Sequence, residues 1–385
     1  MTGKGKTTAS VSSVGADGKQ PNLKKDTEII ANETAQINLQ ATDFCGFDTN
    51  NCKSPEKSGC SLQTVSMTEL YDTLYPPRTP VVDGFLYGGT YLFVGAPKVG
   101  KSFFMGQLAY HIAMGIPLWD YPVRKGTVLY LALEDDYARL QRRLSQMFGI
   151  ESADNLYFAT QAKTLKEGLD GELEEFVKQH TDARLIIIDT LQKVREVGGE
   201  TFSYSNDYEI VTKLKAFSDK YGICLLVVHH TRKMESGDSF DMISGTNGLL
   251  GAADGAFIMQ KKKRTDNTAV LDIVGRDQPD QELTIEFDRE RCIWKFKKAE
   301  TELWKQPPNP LLEAINEFLA EGRPEWEGTA TELLKQLPDM QLSANVLSRR
   351  LTVVNSQLLN DYGIFYDNKR GHERRIILKR LERNE

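Results

Sequence analysis

The sequence predicts an α/β chain, a mostly parallel sheet sandwiched by helices with antiparallel strands at its end, followed by a small basic C-terminal module. Three observations predict it. From Val81 to about Lys298, near-continuous apolar runs of strand length alternate with helix-length runs, the pattern of a parallel sheet covered on both faces. The stretch "LFVGAPKVGKS", residues 92–102, carries one such run into a glycine-containing loop. "KQPPNP", residues 305–310, puts three prolines in six positions, which neither a helix interior nor a central strand tolerates, so the chain divides there.

Each element follows from local pattern. Residues 1–62 are polar and hold no sustained period, the signature of a disordered tail. "TELYDTLY" reads as a short helix stopped by Pro76 and Pro77. "GGTYLFVGAP" is a buried strand, and "KSFFMGQLAYHIAMG" a helix ended by Gly115. "GTVLYLALE" is a strand, and "DDYARLQRRLSQMFG" a helix with an acidic start. "NLYFAT", "ARLIIIDT" and "ICLLVVHH" are further strands, separated by the helices "GELEEFVKQH" and "DYEIVTKLKAFSDKYG". "DGAFIMQKKK", "TAVLDIVGRD" and "ELTIEFD" have short links, which predicts antiparallel strands finishing the sheet. Past the prolines, "LLEAINEFLAEG", "TATELLKQL" and "SANVLSRRLTVVNSQLLNDYG" read as three helices, and "IFYDNKRGHERRIILKRL" as two strands around a polar turn, the outline of a winged helix. The expected divisions are a tail (1–62), an α/β domain (63–300), a linker (301–310) and a winged-helix-like domain (311–385).

Composition excludes several classes. No run approaches the roughly 20 apolar residues of a membrane span, and the first residues lack the apolar core of a secretion signal. The five cysteines form no CxxC pair, and Cys45, Cys52 and Cys60 have no nearby His to complete a zinc site. A reduced, cytoplasmic protein is the plain expectation. A net charge of −6 argues against a wholly basic nucleic-acid coat while leaving room for local basic surfaces.

The loop from Gly95 to Ser102 fits G-x-x-x-x-G-K-[ST] at every fixed position. Gly95 and Gly100 would let the turn through Ala96, Pro97, Lys98 and Val99, and on to Phe103, aim backbone N–H groups at phosphates. Lys101 would neutralise β/γ charge, and the Ser102 hydroxyl would take Mg²⁺. The helix that starts here adds its positive end. These features make ATP and Mg²⁺ the expected cofactors. Asp189 ends "LIIIDT" where a carboxylate at the carboxyl edge of a parallel sheet can orient the metal. Thr190 follows it, so the residue that activates water must come from elsewhere. Glu134, from a neighbouring strand end, is the candidate, with Asp135 and Asp136 favouring the start of the next helix.

This order of motifs, with "ALEDD" and "VVHHTRK" at two strand ends, resembles the RecA-like ATPases and, within them, the hexameric replicative helicases of the plasmid RepA type, over about residues 80–290. The resemblance implies a RecA-like P-loop core and a homo-hexamer with the nucleotide between subunits. It implies that His229 or His230 senses the terminal phosphate, and that Arg276 in "IVGRDQPDQELTIEF" completes a neighbour's site, although the companion base two residues away is missing (Val274, Gln278). Lys263 or Arg264 is the fallback. It also implies channel loops that grip single-stranded DNA, here "TLQKVREVGGETFSYSND" and "TRKMESGDSFDMISGTNG", with Lys193, Arg195, Arg232 and Lys233 able to meet phosphates.

From Ser343 onward nine Lys or Arg stand against five Asp or Glu, in a chain that is acidic overall. Arg349 and Arg350 on the third helix, and Lys369, Arg370, Arg374 and Arg375 around the wing, suit duplex DNA. Winged helices also serve protein contacts. The sequence therefore points to an ATP-hydrolysing DNA helicase or translocase of a plasmid or other mobile element. The alternative is a nucleotide-gated DNA-binding regulator or loader that does not unwind, with a small-molecule kinase a weaker third.

Overall fold

The computed structural model describes residues 64–75, 80–195, 204–230, 247–263, 265–276, 278, 280–299, 309–320, 323–370 and 374–381. The expected tail, Cys45, Cys52, Cys60, Pro76, Pro77, Arg232, Lys233, Arg264 and most of the 301–310 linker lie outside them.

Strands β3 (Gly89–Gly95), β4 (Thr127–Ala132), β6 (Ala183–Asp189) and β7 (Cys224–His230) form the centre. Each sends alternate side chains to opposite faces, as the pleat requires. Tyr91, Phe93, Tyr130, Leu185, Ile187, Leu226 and Val228 enter the core under helix α2 (Lys101–Met114). Leu92, Val94, Leu129, Ile186, Ile188, Leu225 and Val227 enter a second core, capped by helices α4 (Leu169–Gln179) and α6 (Tyr204–Tyr221). Burial on both faces explains why these strands read as unbroken apolar runs rather than alternating ones.

Among the described residues the sheet has nine strands in the order β11-β10-β9-β8-β3-β7-β6-β4-β5, with β5 Leu156–Ala159, β8 Gly255–Gln260, β9 Thr268–Gly275, β10 Gln281–Asp288 and β11 Ile293–Ala299. A separate hairpin, β1 (Pro80–Val82) and β2 (Leu86–Tyr87), precedes β3, and helix α7 (Asn247–Ala252) precedes β8. Three sequence expectations change here. Strand β8 pairs parallel to β3, so it belongs to the parallel block, and only β9, β10 and β11 are antiparallel. Strand β11, "IWKFKKA", escapes the sequence pattern because its outer half is charged and exposed. Strand β4 does not lie beside β3; β7 and β6 intervene. It also ends at Ala132, leaving Leu133 and Glu134 in a turn before helix α3 (Tyr137–Phe148).

Past residue 309 the chain builds its own core around Leu311, Ile315, Leu347, Leu351, Leu358, Ile364 and Leu378. The order is α8 (Pro310–Ala320), β12 (Glu325–Gly328), α9 (Ala330–Leu334), α10 (Ala344–Val353), α11 (Asn355–Tyr362), β13 (Ile364–Arg370) and β14 (Arg374–Arg380). Proline suits the first position of α8, where its missing N–H costs nothing. The expected third helix is broken at Val354, where Thr352, Val353 and Val354 form a β-branched run of low helix propensity. An unforeseen strand, β12, pairs with β14 and makes a three-stranded sheet of order β12-β14-β13. Helix α1 (Met67–Asp72), capped by Ser66 and Glu69 in a capping box, sits by this C-terminal core, into which Leu74 packs.

Candidate active site

The phosphate-type loop hangs between β3 and α2, and its two glycines are required for different reasons. Gly100 has φ of 109°, a conformation that side chains resist. Gly95 is needed for close approach, since a Cβ there would stand 2.6 Å from the Met259 carbonyl oxygen on β8. Only Gly100 therefore serves the turn itself. Trp294 of β11 braces the loop from below: its Nε1 donates to the Gly100 carbonyl at 3.2 Å. Gln107 on α2 holds Trp294 in turn, donating to its carbonyl at 2.9 Å and accepting from its N–H at 2.7 Å. The last strand of the sheet thus curls back to support the loop. Ala96, Pro97 and Lys98 are exposed at the tip, Lys98 with φ of 64°, while Val99 is buried. Phe103 lies under the Arg143 guanidinium and against Phe287.

Strand parity decides which side chains meet. Asp189 and Tyr130 have the parity that faces α2, and so does His230. Ser102 Oγ donates to Asp189 Oδ2 at 2.8 Å, and the Tyr130 hydroxyl donates to the same oxygen at 2.9 Å. Burial raises the Asp189 carboxyl above its ordinary range, with the two hydroxyls pulling the other way. Lys101 Nζ donates to the carbonyls of Gly95 (2.7 Å) and Ala96 (2.9 Å) and lies 2.8 Å from His230 Nδ1. Desolvation lowers the ammonium to about 8. Burial and the Lys101 charge lower His230 as well, so its ring is neutral and Nδ1 accepts from Lys101. Nε2 then carries the proton and faces Glu134 Oε2 at 3.7 Å.

Glu134 reaches this cluster from a strand two places further off than expected. The turn after β4 carries it over β6, where Thr190 Oγ1 donates to Glu134 Oε1 at 3.2 Å. Asp135 anchors that turn. It takes Arg143 at 2.7 Å, with both side chains mostly buried, and Arg139 at 3.1 Å. Asp136 caps α3 by accepting from the Arg139 N–H. Asp136 is therefore the helix-start acid that the sequence suggests, whereas Asp135 is a turn anchor.

His229, with the opposite parity, points to the other face; burial first, then the Arg195 charge, lowers it to about 4. The structure joins His230, not His229, to the loop lysine. Arg276 is remote from this chain's own loop. It follows Gly275, which pairs with Gly255 at the start of β8, whereas Met259 near the end of β8 pairs with Gly95. That offset is roughly 13 Å along the strand. Arg276 Nη2 donates to the Gly251 carbonyl at 2.9 Å, and Lys263 is exposed beyond β8.

Of the expected DNA-contacting residues, Lys193 is exposed on a helical turn, α5 (Leu191–Val194), anchored by buried Leu191 and Val194, so that loop is not wholly irregular. Arg350 and Lys369 are exposed; Arg349 pairs with Asp72. The Arg370 backbone lies in β13, and its side chain is outside the described residues.

Trp294, Gln107, Tyr130 and Arg143 join the site without a place in the sequence motifs. The parity of Tyr130 with Asp189 across adjacent strands is a usable signal; the return of β11 under α2 has none.

The sheet has six parallel strands with the loop-bearing β3 inside and an antiparallel extension, the arrangement expected of a RecA-like core. Residues 56–236 match the family model of an AAA domain. Among solved structures, one of an ATPase domain is 14% identical, with a TM-score of 0.46 over 55% of this chain and 85% of that one. A DnaB-like replicative helicase, described with its interactions with primase, is 14% identical with a TM-score of 0.44 over 54% of this chain. The alignment spans 57% of that helicase chain. Comparison with curated proteins gives no match.

Proposed function

We propose that the chain is an ATP-hydrolysing motor that works on DNA, a helicase or translocase assembled as a ring, in the replication of a plasmid or other mobile element. The observation that carries this is the meeting of Lys101, Ser102, Asp189, His230 and Glu134 at one sheet edge. The residues fit ATP with magnesium. Backbone N–H groups of the first turn of α2 have no partner inside the helix and suit phosphate oxygens. Ser102 and Asp189 are hard oxygen donors already in contact, a pair suited to Mg²⁺ and its waters. Bound magnesium would offset charge on the phosphates.

Within the pocket, Lys101 turns from its two carbonyls and His230 toward phosphate, which frees His230 Nδ1. Glu134 orients the attacking water and takes its proton. Because His230 lies between Lys101 and Glu134, it reports phosphate occupancy to the base and to the loop that follows β7. Arg276 cannot act in its own pocket, so its role is in a neighbour's, offsetting charge there. Lys193, Arg195, Arg232 and Lys233 line the single-strand path. The C-terminal unit, whose helix–strand–helix–helix–helix–hairpin order suits a winged helix, contacts duplex DNA through Arg349, Arg350, Lys369 and Arg370.

ATP turnover with and without single-stranded DNA tests the reading. A motor's rate rises sharply when single-stranded DNA is added. Slow turnover indifferent to DNA would instead fit a nucleotide-gated regulator.

A further inference from the structure

Two arginines of the C-terminal unit converge on one carboxylate from outside it. Arg349 on α10 donates through Nε to Asp72 Oδ1 at 3.0 Å, and Arg374, which opens β14, places Nη2 3.4 Å from Asp72 Oδ2. Asp72 ends α1, 277 and 302 positions away in the chain. The segment is fastened by Leu74 in the C-terminal core and by Asn355 Nδ2, which donates to the Tyr75 carbonyl at 2.9 Å. The Arg349 hydrogen bond, more than any other influence, holds the Asp72 carboxyl below its ordinary range.

Two anionic oxygens set between a helix guanidinium and a hairpin guanidinium reproduce the contacts of a backbone phosphate. Arg350 and Lys369 are exposed on the same helix and hairpin. Both paired arginines keep over two-fifths of their side-chain surface in water (43% and 44%). Asp72 keeps only 19%, but with both guanidiniums open to water the pairs are screened and weak, so the contact is reversible.

We propose that Arg349 and Arg374 form a joint phosphate site for duplex DNA, and that Asp72 fills it in the free protein, so that the α1 segment and the DNA backbone compete for the same two guanidiniums. The proposal rests on the reading of the C-terminal unit as a duplex-binding module. It joins Arg349 and Arg374 in one shared phosphate site and gives the α1 segment a regulatory role.

The test is anisotropy of a labelled duplex with the full chain at fixed salt. Asp72→Asn tightens binding roughly three- to tenfold, and its log–log salt slope steepens by up to about 0.9 as one more phosphate is neutralised. Arg349→Gln weakens binding, and the double variant Asp72→Asn with Arg349→Gln loses the gain. Asp72→Ser must move affinity in the same direction as Asp72→Asn, with thermal unfolding showing both folded. If both Asp72 variants bind as wild type while Arg349→Gln still weakens binding, the competition is refuted and the duplex site stands. If Arg349→Gln, Arg350→Gln and Lys369→Gln all leave duplex binding unchanged, or no duplex binds, the module reading itself fails and takes the proposal with it.

Discussion

At the scale of single residues, Lys101 sets a pH window. Its ordinary value is 10.5, and burial lowers it to about 8 in the free pocket. A triphosphate favours the ammonium form. Above about pH 8 the empty pocket holds a neutral amine, so binding must take up a proton, and affinity falls as pH rises, by up to about tenfold per unit. Titration calorimetry should show an ATP Kd that is flat near pH 7 and climbs from about pH 8, with proton uptake in the climbing range. Lys101→Arg, permanently charged, removes that climb; a pH-independent wild type would contradict the assignment of Lys101 to the phosphates. Arg143 offers a second residue-scale prediction. Its pair with Asp135 fixes the turn that carries Glu134. Arg143→Gln should leave ATP binding unchanged and lower turnover roughly ten- to a hundredfold, the cost of misplacing a catalytic group. Equal kcat in steady-state assays would show the turn to be held by other contacts.

At the scale of elements, the loop, β3 and α2 depend on a strand almost two hundred residues later. A Cβ at Gly100 would come within 2.7 Å of Trp294 Cζ2, at a φ that already disfavours side chains. Gly100→Ala should cost about 1–3 kcal/mol in folding stability and weaken ATP binding. Thermal unfolding and an ATP titration check it; a variant as stable as wild type would mean that β11 does not brace the loop. This dependence marks where the sequence stops being legible. The loop, Asp189 and the paired histidines stand out because each is set by local pattern: an apolar run, a glycine, a polar residue at a strand end. The central strands are legible for the same reason. Their order is not, because β7 and β6 insert between β3 and β4 through crossovers that no local pattern encodes. Glu134 reaches the pocket only because its turn overhangs Thr190, a contact between segments 56 residues apart. Which histidine faces Lys101 follows from strand parity and lies within reach of the sequence; the bracing by Trp294 and Gln107 requires the curl of β9–β11.

At the scale of the whole molecule, the proposed ring turns on the position of Arg276. It lies at the opposite end of the sheet from its own loop, so a role on phosphates demands a second copy. Glu134→Gln and Arg276→Ala chains should each be inactive alone. Mixed in equal amounts, they should regain up to roughly a quarter of wild-type turnover, the fraction of interfaces in a random ring that join two intact halves. No recovery, with mixed rings verified by mass, would place the arginine elsewhere. The proposed motor depends on Glu134 as its base. In Glu134→Gln, ATP should bind with the wild-type Kd while single-turnover hydrolysis in the presence of single-stranded DNA drops roughly 10²- to 10⁴-fold. Hydrolysis at the wild-type rate would contradict Glu134 as the base and, with it, the proposed motor.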